Sequence, residues 1–137
     1  MIHPKSLLDT SIVSSMMHHN LTSIGRANEY LRQYQFFAIS LITQFEIVRG
    51  LKTKNSPKKL KVFKRICSIT VIVPLQESTI QIASDIYADL SKRGQLIEDA
   101  DILIAATALE HNLTLVTNNE KHFARIPSLT IANWTHS

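Results

Sequence analysis

Five short apolar runs, separated by longer stretches of helical periodicity, constrain the fold of this chain more than any other feature. They are "SLL" (6–8), "FFAIS" (36–40), "ITVIV" (69–73), "LTLV" (113–116) and "LTIA" (129–132). Most are continuously apolar instead of alternating with polar residues, which suits strands covered on both faces of a parallel sheet. The expectation is an α/β protein. Residues 12–34 should hold two helices and "LITQFEIVRGL" (41–51) one. "SPKKLKVFKRIC" (56–67) should open with Ser56 as N-cap and Pro57 in the first turn. In "TIQIASDIYADLSKRG" (79–94), Ile82, Ile86 and Leu90 share one helix face, and Gly94 supplies a C-cap. "EDADILIAATALEHN" (98–112) is apolar nearly all round after its first turn, as a buried helix is. No internal repeat, low-complexity tract or linker interrupts residues 1–137, so a single domain is expected.

Composition removes several function classes. One cysteine, Cys67, cannot build an internal disulfide framework or a Cys-based zinc site, which points to the reducing cytoplasm. No apolar stretch approaches the ~18 residues of a membrane span, and "MIHPKSLLD" lacks the basic-then-apolar layout of a signal peptide. Three glycines, Gly25, Gly50 and Gly94, leave no room for a P-loop or a dinucleotide-binding fingerprint. The net charge is +4, unevenly spread: residues 47–76 contain no acid but hold Arg49, Lys52, Lys54, Lys58, Lys59, Lys61, Lys64 and Arg65. Such a surface attracts a polyanion. It is equally the solvated side of a helix whose other side carries Leu60, Phe63 and Cys67.

The acids carry more information than the bases. Asp9 closes the first strand at its carboxyl end, where open α/β sheets place their ligand crevice. Glu46 lies about a turn and a half into the helix after the second strand, and helical side chains lean back toward the N-terminus, so its carboxylate reaches the same edge. Asp99 and Asp101 open the buried helix, and Thr117, Asn118 and Asn119 follow the fourth strand. Parallel strands would bring all of them together. Two carboxylates ~4 Å apart repel by about 4 kcal/mol at an effective dielectric near 20, so three in one pocket call for a cation. All-oxygen ligation favours Mg²⁺ or Mn²⁺ over zinc. The six histidines form no ligand-spaced pair and are read as surface residues. Each acid also has an ordinary structural role open to it. Glu98, Asp99 and Asp101 suit a helix first turn, Asp9 an Asx turn, and Glu46 an ion pair with Arg49 at i+3.

The order "LLDTS", "TQFEIVRGL" and "IEDADILIAATALEHNLTLVTNNEKHFARIPSLTIANW" resembles the PIN-domain nucleases, most nearly the VapC-type toxins of bacterial toxin–antitoxin pairs. The resemblance runs over nearly the whole chain and is strongest in the last forty residues. It implies a PIN-like α/β/α sandwich around a parallel sheet of about five strands, binding Mg²⁺ or Mn²⁺ and hydrolysing RNA phosphodiester bonds to a 5′-phosphate and a 3′-hydroxyl. It assigns Asp9, Glu46 and Asp101 to the metal site, with Asn119 in the fourth catalytic place and Asp99 as an additional metal ligand. Thr10 and Thr117 match hydroxyls that bond the acids or a metal-bound water, and Arg49, Lys52, Lys54, Lys58, Lys59 and Lys61 would hold the RNA backbone. The partners implied are a VapB-type antitoxin that fills the acidic groove with an inserted Arg, and a second copy meeting the helices at residues 12–17 and 42–51.

Three departures from the family pattern stand out. Ser11 replaces the Asn usual after "DT", which would loosen that turn; Asn119 brings no charge; and His122 occupies a place often held by Asp or Glu. The last two leave a second reading, a PIN-like module that binds RNA or protein without cutting. A phosphoacceptor receiver domain shares the layout but needs paired acids near the first strand and a Lys after the fifth, and this chain has neither.

Overall fold

The computed structural model describes residues 2–136. Five strands are present: β1 (Ser6–Leu8), β2 (Phe37–Ser40), β3 (Thr70–Val73), β4 (Thr114–Val116) and β5 (Ile131–Ala132). The helices are α1 (Thr10–Met17), α2 (Leu21–Tyr34), α3 (Leu41–Thr53), α4 (Pro57–Cys67), α5 (Glu77–Lys92), α6 (Asp99–Glu110) and the single turn α7 (Glu120–Phe123). Every pairing is parallel, in the order β3-β2-β1-β4-β5. The expected α/β sandwich with about five parallel strands is the fold observed.

Element ends follow local chemistry. Phe36 stays outside β2 with half its surface exposed. Leu129 is held in a turn by its N–H donating to the Ile126 carbonyl, so only the last two of the four expected residues pair as β5. Ser56 and Pro57 stand at the start of α4 as expected, but the Ser56 side chain makes no capping bond. Gly94, at φ +65, lets the chain leave α5: its N–H meets the Ser91 carbonyl and that of Gln95 meets Leu90. The turn α7 had no signal in the hydrophobic pattern, being too short for one.

Successive residues of a strand face opposite sides, and each side of the sheet has its own core. Leu7, Val73 and Leu115 pack with Ile86, Leu90, Ile102 and Ile104 under α5 and α6. Leu8, Ile39 and Val116 pack with Ile12, Val13, Tyr30, Phe63 and Trp134 under α1, α2 and α4. From Ile104 to Ala108 every residue of α6 is buried, as its all-round apolar sequence requires. Ile12 and Val13 are also fully buried and Ile47 nearly so, so these side chains are spent on the core and are not free for a second copy. On α3 it is Leu41 and Phe45 that are exposed. No helix among the described residues is long and apolar enough to cross a membrane.

Not all the histidines are at the surface. His3 is buried between the rings of Tyr30 and Trp134, its Nε2 2.8 Å from Glu29 Oε2 and its carbonyl accepting from Tyr34 Oη and Gln33 Nε2. A ring that packs against two aromatics and has a carboxylate at its tip is satisfied inside.

The order of the strands fixes where a ligand goes. From β1 the chain moves outward through β2 to β3; from β3 it crosses back past β1 to β4 and continues outward to β5. The direction reverses between β1 and β4, and in open parallel sheets the crevice lies at the carboxyl ends of such a pair. Asp9 follows β1 and Thr117 follows β4.

Candidate active site

Asp9 is 4% exposed, so its carboxylate needs partners. It holds the N-cap position of α1 without capping the helix. Its Oδ2 instead accepts from Ser11 Oγ and Thr117 Oγ1, both at 2.8 Å. Thr117, fully buried, also accepts from the Asn119 N–H at 2.9 Å, and the Asn118 N–H donates to Ser11 Oγ at 3.2 Å. Two hydroxyls therefore lace the β1 and β4 turns together around one carboxylate. Ser11 does the opposite of loosening this turn: its short side chain reaches both Asp9 and the neighbouring loop.

Glu46 arrives from α3, half-buried. Thr10 Oγ1 donates to Glu46 Oε1 at 2.7 Å and lies 3.0 Å from Thr43 Oγ1. Arg49, largely exposed, reaches Glu46 Oε2 only at 3.8 Å and rests over the Phe45 ring, 5.0 Å from its centroid. The i+3 pair exists, but the buried side of Glu46 is governed by Thr10.

Asp101 is the strained member. Burial, then the charges of Asp9, Glu46 and Glu98, raise its pKa from the ordinary 3.8 to about 6. No hydrogen bond from the described residues reaches its carboxylate. The neighbour that matters is Glu98, not Asp99. Residues three apart on a helix share a face and residues two apart do not, so Glu98 stands with Asp101. Asp99 turns to the other side, lining a cavity with Tyr87, Ile80 and Leu103 between α5 and α6. The spacing that would have chosen Glu98 was readable in "EDAD".

Asn119 lies at the same edge, and its Nδ2 donates to His122 Nδ1 at 2.9 Å. A histidine therefore does stand at the rim of the acidic site, held by the neutral residue in the fourth place. Of the basic residues, Lys52, Lys54, Lys58, Lys59 and Lys61 are all exposed around the α3–α4 turn. Lys54 and Lys59 line a cleft that also includes Thr10 and Glu46; Lys52, Lys58 and Lys61 do not. A cavity of about 760 Å³, lined by Lys5, Tyr34, Phe36, Val71 and His111 among others, contains none of the carboxylates.

Among the described residues, no three His, Cys, Asp or Glu side chains are drawn into a finished coordination sphere. The chemistry of the donors nevertheless fits a hard divalent ion. The set is all oxygen, Asp9 is oriented by two hydroxyls, and Asp101 has three neighbouring acids and no donor. A cation is the group that would relieve Asp101.

Comparison with known proteins agrees with this geometry. The family model described as the PIN domain matches residues 6–129. Ribonuclease VapC1 of Methanocaldococcus jannaschii is 44% identical over 123 residues, covering 89% of this chain and 81% of that protein. The structure of VapBC2 from Rickettsia felis bound to a DNA fragment from their promoter has a chain that superposes with a TM-score of 0.81 at 30% identity. The match covers 94% of this chain and 98% of that one. A chain of DNA-bound VapBC from Salmonella typhimurium superposes with a TM-score of 0.85 at 26% identity, covering 96% and 99%.

Proposed function

The chain belongs to the PIN-domain family, and we propose that it is a VapC-type endoribonuclease, dependent on Mg²⁺ or Mn²⁺ and restrained by a VapB-type antitoxin. The observation that carries the proposal is Asp101: a carboxyl held near pKa 6 by burial and three acids, at the switch point, with no donor of its own. Perturbed carboxyls of this kind mark sites of chemistry. The ribonuclease named in the Methanocaldococcus relative and the VapBC complexes support the same assignment.

Asp9, Glu46 and Asp101 would hold the ion. When bound, it supplies a water of lowered pKa and neutralises charge on the leaving oxygen of a phosphodiester. The chain's own residues do the positioning. Ser11 and Thr117 fix one oxygen of Asp9 and leave the other for ligation. Thr10 fixes Oε1 of Glu46. Glu98 adds negative potential beside Asp101, which strengthens the hold on a cation. The lysines around the α3–α4 turn attract the RNA backbone without choosing its sequence. The acid edge is also where a cationic side chain of an antitoxin would bind, competing with the metal.

Asn119 favours the second reading, a module that binds without cutting, since it is neutral and tied to His122. Three carboxylates at one edge are costly to keep in a protein that only binds. The test is cleavage of total cellular RNA by the antitoxin-free protein with Mg²⁺, with Mn²⁺ and with EDTA, beside Asp9→Asn and Asp101→Asn. Discrete fragments lost with EDTA and in both variants are expected. Folded, metal-binding protein that leaves every RNA pool intact would transfer the assignment to the binding module.

A further inference from the structure

Ser11, Asn119 and His122, the three departures from the family pattern, stand on one side of the acidic edge, joined through Thr117 and the loop after β4. We propose that these residues and Thr117 close the β4 side of the site, so that the edge takes one divalent ion where a two-ion nuclease takes two. This rests on the metal-nuclease assignment above and adds to it the number of ions and the residues that set it.

Two-ion phosphodiesterases hold their ions ~3.5–4 Å apart, and two dications at that distance repel four times as strongly as two unit charges. Such a pair needs a carboxylate that bridges it with one oxygen for each ion. Asp9 cannot bridge. Its Oδ2 accepts from both Ser11 Oγ and Thr117 Oγ1 at 2.8 Å, which fills the lone-pair sites of that oxygen and leaves only Oδ1. Thr117 is committed in turn, accepting from the Asn119 N–H at 2.9 Å. Glu46 likewise has one oxygen bonded to Thr10 Oγ1. Of the three acids assigned to the ion, Asp101 alone keeps both oxygens free of donors, and beyond it stands Glu98, exposed to solvent. Among the described residues, the side of β4 and α7 brings no free carboxylate. Asn119 is neutral, and its amide N–H donates to His122 Nδ1 at 2.9 Å, which leaves it a single uncharged oxygen. Glu120, the acid of α7, is engaged at the end of β5: its Oε2 accepts from Asn133 Nδ2 at 3.0 Å and lies 3.8 Å from His136 Nε2. A hard dication that must shed water is held by charged oxygens, and this side offers none. It offers a hydrogen-bond donor instead: with Nδ1 accepting, the ring proton of His122 is on Nε2.

The count is read with Mn²⁺, whose free ion gives a sharp electron paramagnetic resonance signal that bound ions lose. The antitoxin-free protein would be titrated with Mn²⁺, and frozen saturated samples scanned for the exchange coupling of two ions ~4 Å apart. Two variants reopen the closed side. Asn119→Asp/His122→Ala returns a carboxylate to it, and Ser11→Ala/Asn119→Asp/His122→Ala also frees a lone pair of Asp9 Oδ2. Thermal melting reports whether each is folded; where the triple variant is not, the double variant decides alone. Wild type should bind one ion per chain with an uncoupled spectrum, and a folded variant should bind two with a coupled one. A second ion coupled to the first in wild type would overturn the closure, and so would folded variants that stay at one ion. No ion bound by wild type would refute the metal assignment itself, and the closure with it.

Discussion

Asp101→Asn should make the metal-free protein more stable, which is unusual for a half-buried polar position. In the folded protein burial and three neighbouring acids raise the carboxyl to about 6, while the unfolded chain returns it to 3.8. Between those values the folded state holds a proton that the unfolded state has lost, so stability falls as pH rises across the window. Fully ionised at neutral pH, the group costs the fold about 3 kcal/mol at most, and about 1–2 kcal/mol after solvent screening. Asparagine has the same shape and no charge. At this chain length about 3–4 °C accompanies each kcal/mol, so the variant should melt several degrees above wild type at pH 7.5 in EDTA. At pH 5, about midway across that window, the gain should shrink to about half, because the unfolded carboxyl is still ionised and folding takes up a proton; it should vanish only below the unfolded value of 3.8. Added Mn²⁺ should reverse the order, because stabilisation by a bound ion rises with its affinity and the variant would lack one of the proposed ligands. Scanning calorimetry at the two pH values, with and without Mn²⁺, checks all of this. An Asn variant no more stable than wild type at pH 7.5, or equally stabilised at both pH values, would refute the charge conflict at this edge.

Thr117→Val keeps the shape of a fully buried residue but removes the hydroxyl that donates to Asp9 and accepts from Asn119. It should cost about 1–3 kcal/mol, read as a lower urea midpoint, and an unchanged midpoint would dismiss the lacing of β1 to β4. Arg49→Ala removes an exposed pair at 3.8 Å and should change stability by less than about 0.5 kcal/mol in the same measurement. Glu98→Ser places a favoured N-cap on α6, where Glu98 makes no capping bond, and should stabilise the metal-free protein by about 1 kcal/mol while weakening Mn²⁺ binding in a calorimetric titration. Asp99→Asn, on the other face of the helix, should bind Mn²⁺ as wild type does.

What could be read in the sequence depended on range. The strands and the long helices are local patterns, and "SLL" was legible to the residue because Pro4 shortly before it and Asp9 just after it are strong punctuation. The meeting of Asp9, Glu46 and Asp101 at one edge was legible because each is placed by its offset from the end of a strand or the start of a helix. Glu98, three residues before Asp101 in "EDAD", acts on its charge, while Asp99 lines the cavity between α5 and α6. Contacts between distant segments were out of reach. Ser11 bonding across to the loop after β4 spans more than a hundred residues, and only the assembled sheet brings them together. His3 looked like an exposed terminal residue for the same reason: Tyr30 and Trp134, which bury it, are remote in sequence.

Local sequence rules are obeyed away from this edge and broken at it. Asn20 caps α2 through the Ser23 N–H, and Gln76 and Thr79 form a reciprocal capping box on α5. Those helix starts lie elsewhere; α5 begins beside the far end of α6, where Glu110 accepts from Ser78 and Thr79. At the edge itself, Asp9, Glu98 and Asn119 hold the N-cap positions of α1, α6 and α7, and none of them caps. Ser40 does cap α3, but the acid this helix delivers, Glu46, lies more than a turn further on. The same neighbourhood holds an acid with no donor and a lysine, Lys59, in the first turn of α4, where it opposes the helix dipole. Each is a small cost that a chain selected only for stability would shed, and sequences tolerate such conflicts where function needs them. Their coincidence at one switch point, more than any single residue, is why the site belongs there and why its variants should trade stability against metal and RNA binding.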